Sequence, residues 1–544
     1  MLAERISGAA LVLGLGLASL GVGSAAAADD VPVVNLAIAV PIIVPSSDEP
    51  FIDADTLAQY TSAQGILTRE LDAVADRPVA LGIDPRIIAS IRLLGSTAPA
   101  SALAWLDRLE SVSNETFALG YADADVTLQT QGGAQAVLQP ETFDFAINPE
   151  FFGVEAGSTA TPAPNDAAAL PTSAEITAWP YTLTGIAWPR DDTVVAADLP
   201  LIAASGYTTS IVSSGNVARE SASGPSVTVD GSAVLVSDAA VSGALRTAAA
   251  TVSPAEWSTA LGQLSSAVAS GGRVQPGTAT VVATLDRAIP AVGDRLAETL
   301  DALALDPAVQ LVPLSQAIGV APTAATIVDE PQDADRLSRV GQMMQGENAE
   351  RAFASVASDP AAITSERRLE LLTLLSSEWS GAIVGWPDAA DAFTTASVEL
   401  RNSVHLVTSS NFLLVADNDQ YLPITVNNAL DQTVTVYVSV RSQSSLLVID
   451  EPRKVLEIEA GAQGKVNVPV HSLSNGVVEV DVALASATGV AIGAPVSSEV
   501  NVQAGWETPI VIVIAALVVV VFGVGIVRTI LRRRKAARSE GTDD

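Results

Sequence analysis

The 544-residue chain sets 28 Lys plus Arg against 61 Asp plus Glu, a net charge of −33, and contains no cysteine. Those figures exclude disulfide-stapled domains and thiol catalysis, and so acidic a surface disfavours nucleic acid and anionic polymers as partners. With 49% apolar residues the chain can build more than one hydrophobic core without staples.

Residues 1–28 begin with Glu4 and Arg5, run through an apolar stretch at 9–22, and end in small residues ahead of Asp29 and Asp30. This is the pattern of a signal peptide cut after Ala28. From 29 to 322, short apolar runs recur at 36–40, 79–83, 117–121, 143–147, 183–188, 208–212, 233–237, 280–284 and 309–313. Helical patterns lie between most of them, at 55–74 with Leu57, Tyr60, Leu67 and Leu71 on one face, and at 254–270 and 286–305. Apolar strands alternating with helices predict an α/β domain with a mostly parallel sheet covered on both sides, and this many strands suits a β/α barrel of seven or eight. The Gly, Ala, Pro and Thr stretch at 153–171 is expected to be a loop insertion.

Residues 323–402 lose the strand signals and become helical, with Leu337, Val340 and Met344, then 369–375, then Trp379 and Trp386. From 403 to 504 the apolar period switches to two, split by turns such as Asn427-Asn428, Asn475-Gly476 and Thr488-Gly489. Seven or eight short strands in about a hundred residues predict an all-β immunoglobulin-like sandwich without its cysteine pair.

Pro509 to Val527 form an unbroken apolar run within an expected transmembrane helix at 507–527, followed at 528–544 by a tail with Arg528, Arg532, Arg533, Arg534, Lys535 and Arg538. About 20 such residues cross a hydrocarbon core of roughly 30 Å, and the basic cluster favours the cytoplasmic side. The expectation is a type I, single-pass protein of the cell membrane, with the bulk of the chain extracytoplasmic. The tail contributes +3, leaving −36 for everything before it.

In such barrels the chemistry gathers at the C-terminal ends of the strands. The candidate catalytic carboxylates there are Asp84, Asp123 and Glu150, and the candidate ligand-binding residues are Tyr121, Asp125, Trp188 and Arg190. Paired carboxylates perform acid and base work on glycosides or hold a divalent cation through oxygen. The same position also suits the N-cap of the following helix, which is the expectation for Asp125, Asp238 and Asp286. For Asp84 and Asp123 the two roles are evenly balanced, because Pro85 and the Asp-x-Asp spacing add to a plain cap. The two histidines, His405 and His471, both fall in the sandwich region, so the barrel has neither a His-bound zinc nor a Ser-His-Asp triad. No phosphate-binding glycine loop or nucleophile elbow is present. No metal and no cofactor are expected.

The ordered motifs Leu36-Ala37-Ile38-Ala39-Val40-Pro41, Asp84-Pro85, Gly120-Tyr121-Ala122-Asp123-Ala124-Asp125, Ala187-Trp188-Pro189 and Leu422-Pro423-Ile424-Thr425-Val426-Asn427-Asn428 resemble an uncharacterised exported, membrane-anchored family of high-GC Gram-positive bacteria. Its members are often encoded beside the lipid II flippase, which implies an envelope role with cell-wall glycan or the flippase machinery as partner. The barrel half is similar to the glycoside hydrolase and polysaccharide deacetylase superfamily, though the deacetylase's metal-binding histidines are missing. Asp84, Tyr121, Asp123 and Trp188 fall on the exported family's pattern, which brings no established role with them. The favoured expectation is a non-enzymatic glycan- or partner-binding accessory of peptidoglycan biogenesis. The alternatives are a carboxylate-based glycoside hydrolase acting on cell-wall or capsular polysaccharide, and a structural spacer.

Overall fold

The computed structural model describes residues 33–153, 170–219, 224–273, 279–287, 293–380, 385–407, 411–415, 420–503 and 507–539. The expected signal peptide and nearly all of the expected loop insertion lie outside them.

The first sheet is built around strand Val34–Ile42, whose nine residues are all buried, as a strand covered on both faces must be. Its first half pairs in parallel with Thr280–Thr284 and Val309–Leu311, and its last four residues with Ala80–Ile83, which in turn pairs in parallel with Thr116–Ala118. The second sheet places Ile186–Ala187, Thr209–Ser213 and Ser232–Ser237 in parallel and adds the antiparallel strand Ser226–Val229. That hairpin turns at Asp230-Gly231, both at positive φ (47° and 89°), the tight turn an Asp-Gly pair forms. Among the described residues, two backbone hydrogen bonds join the sheets. Asp238 N–H donates to the Val282 carbonyl at 2.8 Å, and Leu183 N–H donates to the Thr116 carbonyl at 2.9 Å.

Two expectations are corrected here. Residues 143–147 form no strand: Asp144–Ala146 and Pro149–Phe152 are successive 3-10 turns, and Phe143 packs its ring 5.9 Å from that of Tyr121. Pro149 has no N–H to offer a sheet and opens the second turn, which Asn148 caps by accepting the Glu150 N–H at 3.0 Å. The helix expected at 55–74 is two, Ala54–Tyr60 and Ile66–Val74. The break sits at Gly65, where a Cβ would lie 2.1 Å from the Tyr60 carbonyl oxygen.

The helical segment consists of Ala334–Ala354, Pro360–Leu374 and Trp386–Arg401. Its apolar faces share a core with Leu93, Tyr121, Leu128 and Phe143, so it sits directly over the loops that follow the first strands. The short strand Thr323–Ala324 ahead of it pairs with Ser226–Val229.

The C-terminal strands form two antiparallel-rich sheets. One orders Val404–Leu406, Tyr421–Asn428, Gln463–Ser472 and Leu447–Ile449; the other runs from Asn411–Val415 through Ala491–Gln503, Gly476–Ala485 and Val434–Ser442 to Arg453–Ile458. Alternate residues such as Val434, Val436, Val438 and Val440 point into a core shared with Val426, Val468 and Val470 of the other sheet, so the two form a β-sandwich. Helix Glu507–Ser539 follows, with a 25-residue stretch, Val511–Lys535, long and apolar enough to cross a membrane.

Candidate functional site

Strand ends bring Asp84, Tyr121, Asp123 and Trp188 together under the helical segment. Asp84 ends its strand and caps helix Pro85–Leu93, and one carboxyl oxygen accepts both the Arg86 N–H and the Ala122 N–H at 2.8 Å. Burial pushes its pKa up to about 7; the neighbouring Arg86 guanidinium opposes the rise and Asp123 adds to it. Arg86 is itself buried, donating to Ser47 Oγ at 2.6 Å and to the Glu49 carbonyl at 2.7 Å.

The turn after the third strand is strained. Ala122 and Asp123 take φ of 57° and 51°, the left-handed region that costs a non-glycine residue about 1–2 kcal/mol. The Ala122 N–H bond to Asp84 holds that turn in place. It delivers the Asp123 carboxylate to Arg287, whose Nε lies 3.2 Å away. Arg287 also donates to the Trp188 carbonyl at 2.7 Å, and its guanidinium lies 4.1 Å from the centre of the Trp188 ring. Burial raises the Asp123 pKa, with the Arg287 charge working against it.

The helical segment closes this assembly. Ser377 Oγ donates to the Asp123 carbonyl at 3.1 Å, Asp125 N–H donates to the Leu375 carbonyl at 2.8 Å, and the Glu378 carboxylate accepts the Ser46 N–H. Burial lifts Glu378 to about 7, partly offset by its hydrogen bonds to Ser46 and reinforced by Asp123.

Asp125 caps helix Val126–Gln131 through the Thr127 and Leu128 N–H groups, and Gln332 Nε2 donates to it at 2.7 Å. Asp238 likewise caps Ala239–Ala250. Asp286 accepts the Arg287 N–H at 2.8 Å. Glu150 is exposed in its 3-10 turn, and Arg190 is half-buried, its carbonyl accepting Thr193 Oγ1 at 2.8 Å. Among the described residues no group of three or more His, Asp or Glu side chains is placed to hold a metal ion.

The open space lies beside this cluster. A cavity of about 280 Å³ opens between the third and fourth strands, lined by Tyr121, Tyr181, Tyr207, Gln139, Thr177 and Thr184. Gln139 Nε2 donates to Tyr207 Oη at 3.1 Å, Tyr121 Oη donates to the Pro50 carbonyl at 2.7 Å, and the buried Tyr181 Oη has no hydrogen-bond partner among the described residues. Pro85 contributes to the wall, so Asp84 stands immediately behind it.

Arg287, Arg86, Glu378, Tyr181 and Tyr207 were absent from the sequence candidates. Arg287 was within reach, since it follows Asp286 at the end of an apolar strand. Glu378 lies in a segment about 250 residues from Asp123, and no local pattern connects them.

The model of the DUF6049 family, a family of unknown function, matches residues 18–539, and the chain belongs to that family. No curated protein matches the sequence. Among solved structures, native Escherichia coli alpha-2-macroglobulin from domain MG7 to the C-terminus is 16% identical over 19% of this chain and 16% of its own, with a TM-score of 0.16. WR4, a C. elegans MSP family member, is 8% identical over 19% of this chain and 99% of its own, with a TM-score of 0.14. The E. coli chaperone DraB is 12% identical over 19% of this chain and 55% of its own, with a TM-score of 0.14. The chain thus covers 16% of the first macroglobulin structure and 7% of the trypsin-activated form.

Proposed function

We propose that this member of the DUF6049 family is a non-enzymatic, membrane-anchored binding protein that takes a segment of cell-wall glycan in the tyrosine-lined cavity, with the body outside the membrane and the basic tail in the cytoplasm. In this reading residues 29–322 close into one β/α barrel, and 323–402 form a lid. Residues 403–504 form an immunoglobulin-like stalk. The two hydrogen bonds that join the sheets support closure at both seams, and the cavity opens at the seam beside Thr116.

The observation that carries the function is the contrast between two neighbours. Asp84, Asp123 and Asp125 are buried in caps and an ion pair, while the accessible space presents tyrosines, threonines and a glutamine. Aromatic faces pack on the apolar faces of sugar rings, and the polar groups meet hydroxyls. Envelope biogenesis, with the lipid II flippase machinery as a partner, is the setting proposed for it.

The test is calorimetric titration of the full chain in detergent with disaccharide-peptide wall fragments. Saturable binding that Tyr207→Ala and Gln139→Ala each weaken about tenfold is expected, a loss of roughly 1.4 kcal/mol; no binding by the unaltered protein overturns the reading. One feature favours a second reading, glycoside hydrolysis: burial pushes the pKa of Asp84, next in the chain to the cavity-wall residue Pro85, up to about 7. Release of reducing sugar that Asp84→Asn abolishes establishes it.

A further inference from the structure

The cavity wall that carries Gln139 belongs to a stretch, 134–142, that forms neither helix nor strand, and side chains hold its backbone in place. Val137 N–H donates to Ser205 Oγ at 2.8 Å, and Leu138 N–H donates to Gln129 Oε1 at 2.7 Å. The buried Val137 side chain packs with Val126 and Ile202. Gln139 and Pro140 come next and line the cavity, where Gln139 Nε2 donates to Tyr207 Oη at 3.1 Å.

Two residues after Gln139, Glu141 reaches into the helical segment and meets two of its helices. Arg351 Nη2, on Ala334–Ala354, lies 2.5 Å from Glu141 Oε1, and Thr364 Oγ1, on Pro360–Leu374, donates to Oε2 at 3.1 Å. Arg368, one turn after Thr364, stands 3.8 Å from the same carboxylate and donates to the Gln139 carbonyl at 3.4 Å. The buried carboxylate of Glu347 holds both arginines there, at 2.6 Å from Arg351 and 2.7 Å from Arg368. Charge-assisted bonds to a shared carboxylate fix the direction of each guanidinium, and so of what it presents to Glu141. Two carboxylates face two guanidinium groups, and with Glu141 removed the buried Glu347 keeps both partners. No buried charge is then left uncompensated.

We propose that Glu141 is a positioning residue for the cavity, the clamp through which the helical segment sets Gln139 against Tyr207 and so sets the affinity for wall glycan. This role rests on the glycan-binding reading of the cavity. An irregular wall left free would have to be ordered each time a ligand bound, and a wall already held escapes that cost. Glu141 stands outside the lining, so its effect on binding runs through Gln139. The site is then complete only while the helical segment is docked on the strand ends.

The test compares the full chain in detergent with its Glu141→Ala variant by amide hydrogen exchange and by calorimetric titration with disaccharide-peptide wall fragments. Exchange across 134–142 is expected to quicken about tenfold while the strand at 434–442 keeps its protection, which separates a released wall from general unfolding. Binding is expected to weaken by up to about tenfold, and Gln139→Ala to add its loss only in part when Glu141 is already Ala. Asp391→Ala, which removes the partner of Arg339 on the same long helix, is expected to change neither quantity. Unchanged exchange across 134–142 overturns the clamp. Quickened exchange with unchanged affinity, or fully additive losses at Glu141 and Gln139, overturns its role in binding. An unaltered chain that binds no wall fragment overturns the glycan-binding reading and with it that role, and quickened exchange in the variant then locates the failure in the ligand and not in the clamp.

Discussion

Arg287 holds together what the sequence scattered. Its guanidinium pairs with Asp123, bonds the Trp188 carbonyl and covers the Trp188 ring, all out of water. Removing one member of a buried pair leaves a charge with no compensation, at a cost of about 3–5 kcal/mol. Arg287→Ala is therefore expected to lower the denaturation midpoint strongly, and Asp123→Asn in the same chain to restore part of the loss. Additive losses in that double-mutant cycle would show the pair to be uncoupled. Asp84 gives a pH dependence whose sign is fixed. Its ordinary pKa is 3.8 and its folded value about 7, so between these the folded state binds a proton that the unfolded state lacks. Stability from this group is present below about pH 4 and is lost as pH rises through 7. Half-buried Glu378 acts in the same direction and, being partly solvated, more weakly. The melting temperature is expected to fall from pH 5 to pH 8, and Asp84→Asn, which keeps an acceptor for both N–H groups, to flatten the slope.

At the scale of elements, legibility followed the range of the interaction. Strand Thr280–Thr284 and the alternating strands of the sandwich matched their expected positions because periodicity is local. The hairpin at Asp230-Gly231 carried a readable turn signal that the strand pattern alone did not use. The 55–74 helix was drawn through Gly65, whose hydrogen on one face lets the chain press against the Tyr60 carbonyl. Gly65→Ala is expected to cost about 1–3 kcal/mol by forcing those two helices apart, measurable as a shift in urea midpoint. The helical segment's place over Asp123 had no sequence signal, because Leu375, Ser377 and Glu378 reach the strand ends only through tertiary packing.

For the whole molecule, the acidic body and the basic tail are proposed to lie on opposite sides of one membrane. Protease added to intact cells is then expected to degrade residues 29–503 and spare an epitope at 528–544, whereas the reverse pattern contradicts that orientation. The proposed function rests on the cavity, where Tyr181 and Tyr207 are in the lining and Asp84 is not. A crystal structure of the protein with a wall disaccharide tests it most directly. An intact sugar is expected against Tyr181 and Tyr207, with the helical segment in place and the Asp84 and Asp123 partners unchanged. A sugar seated on Asp84 and Asp123 beneath a displaced lid, or a cavity that stays empty at saturating disaccharide, would contradict it.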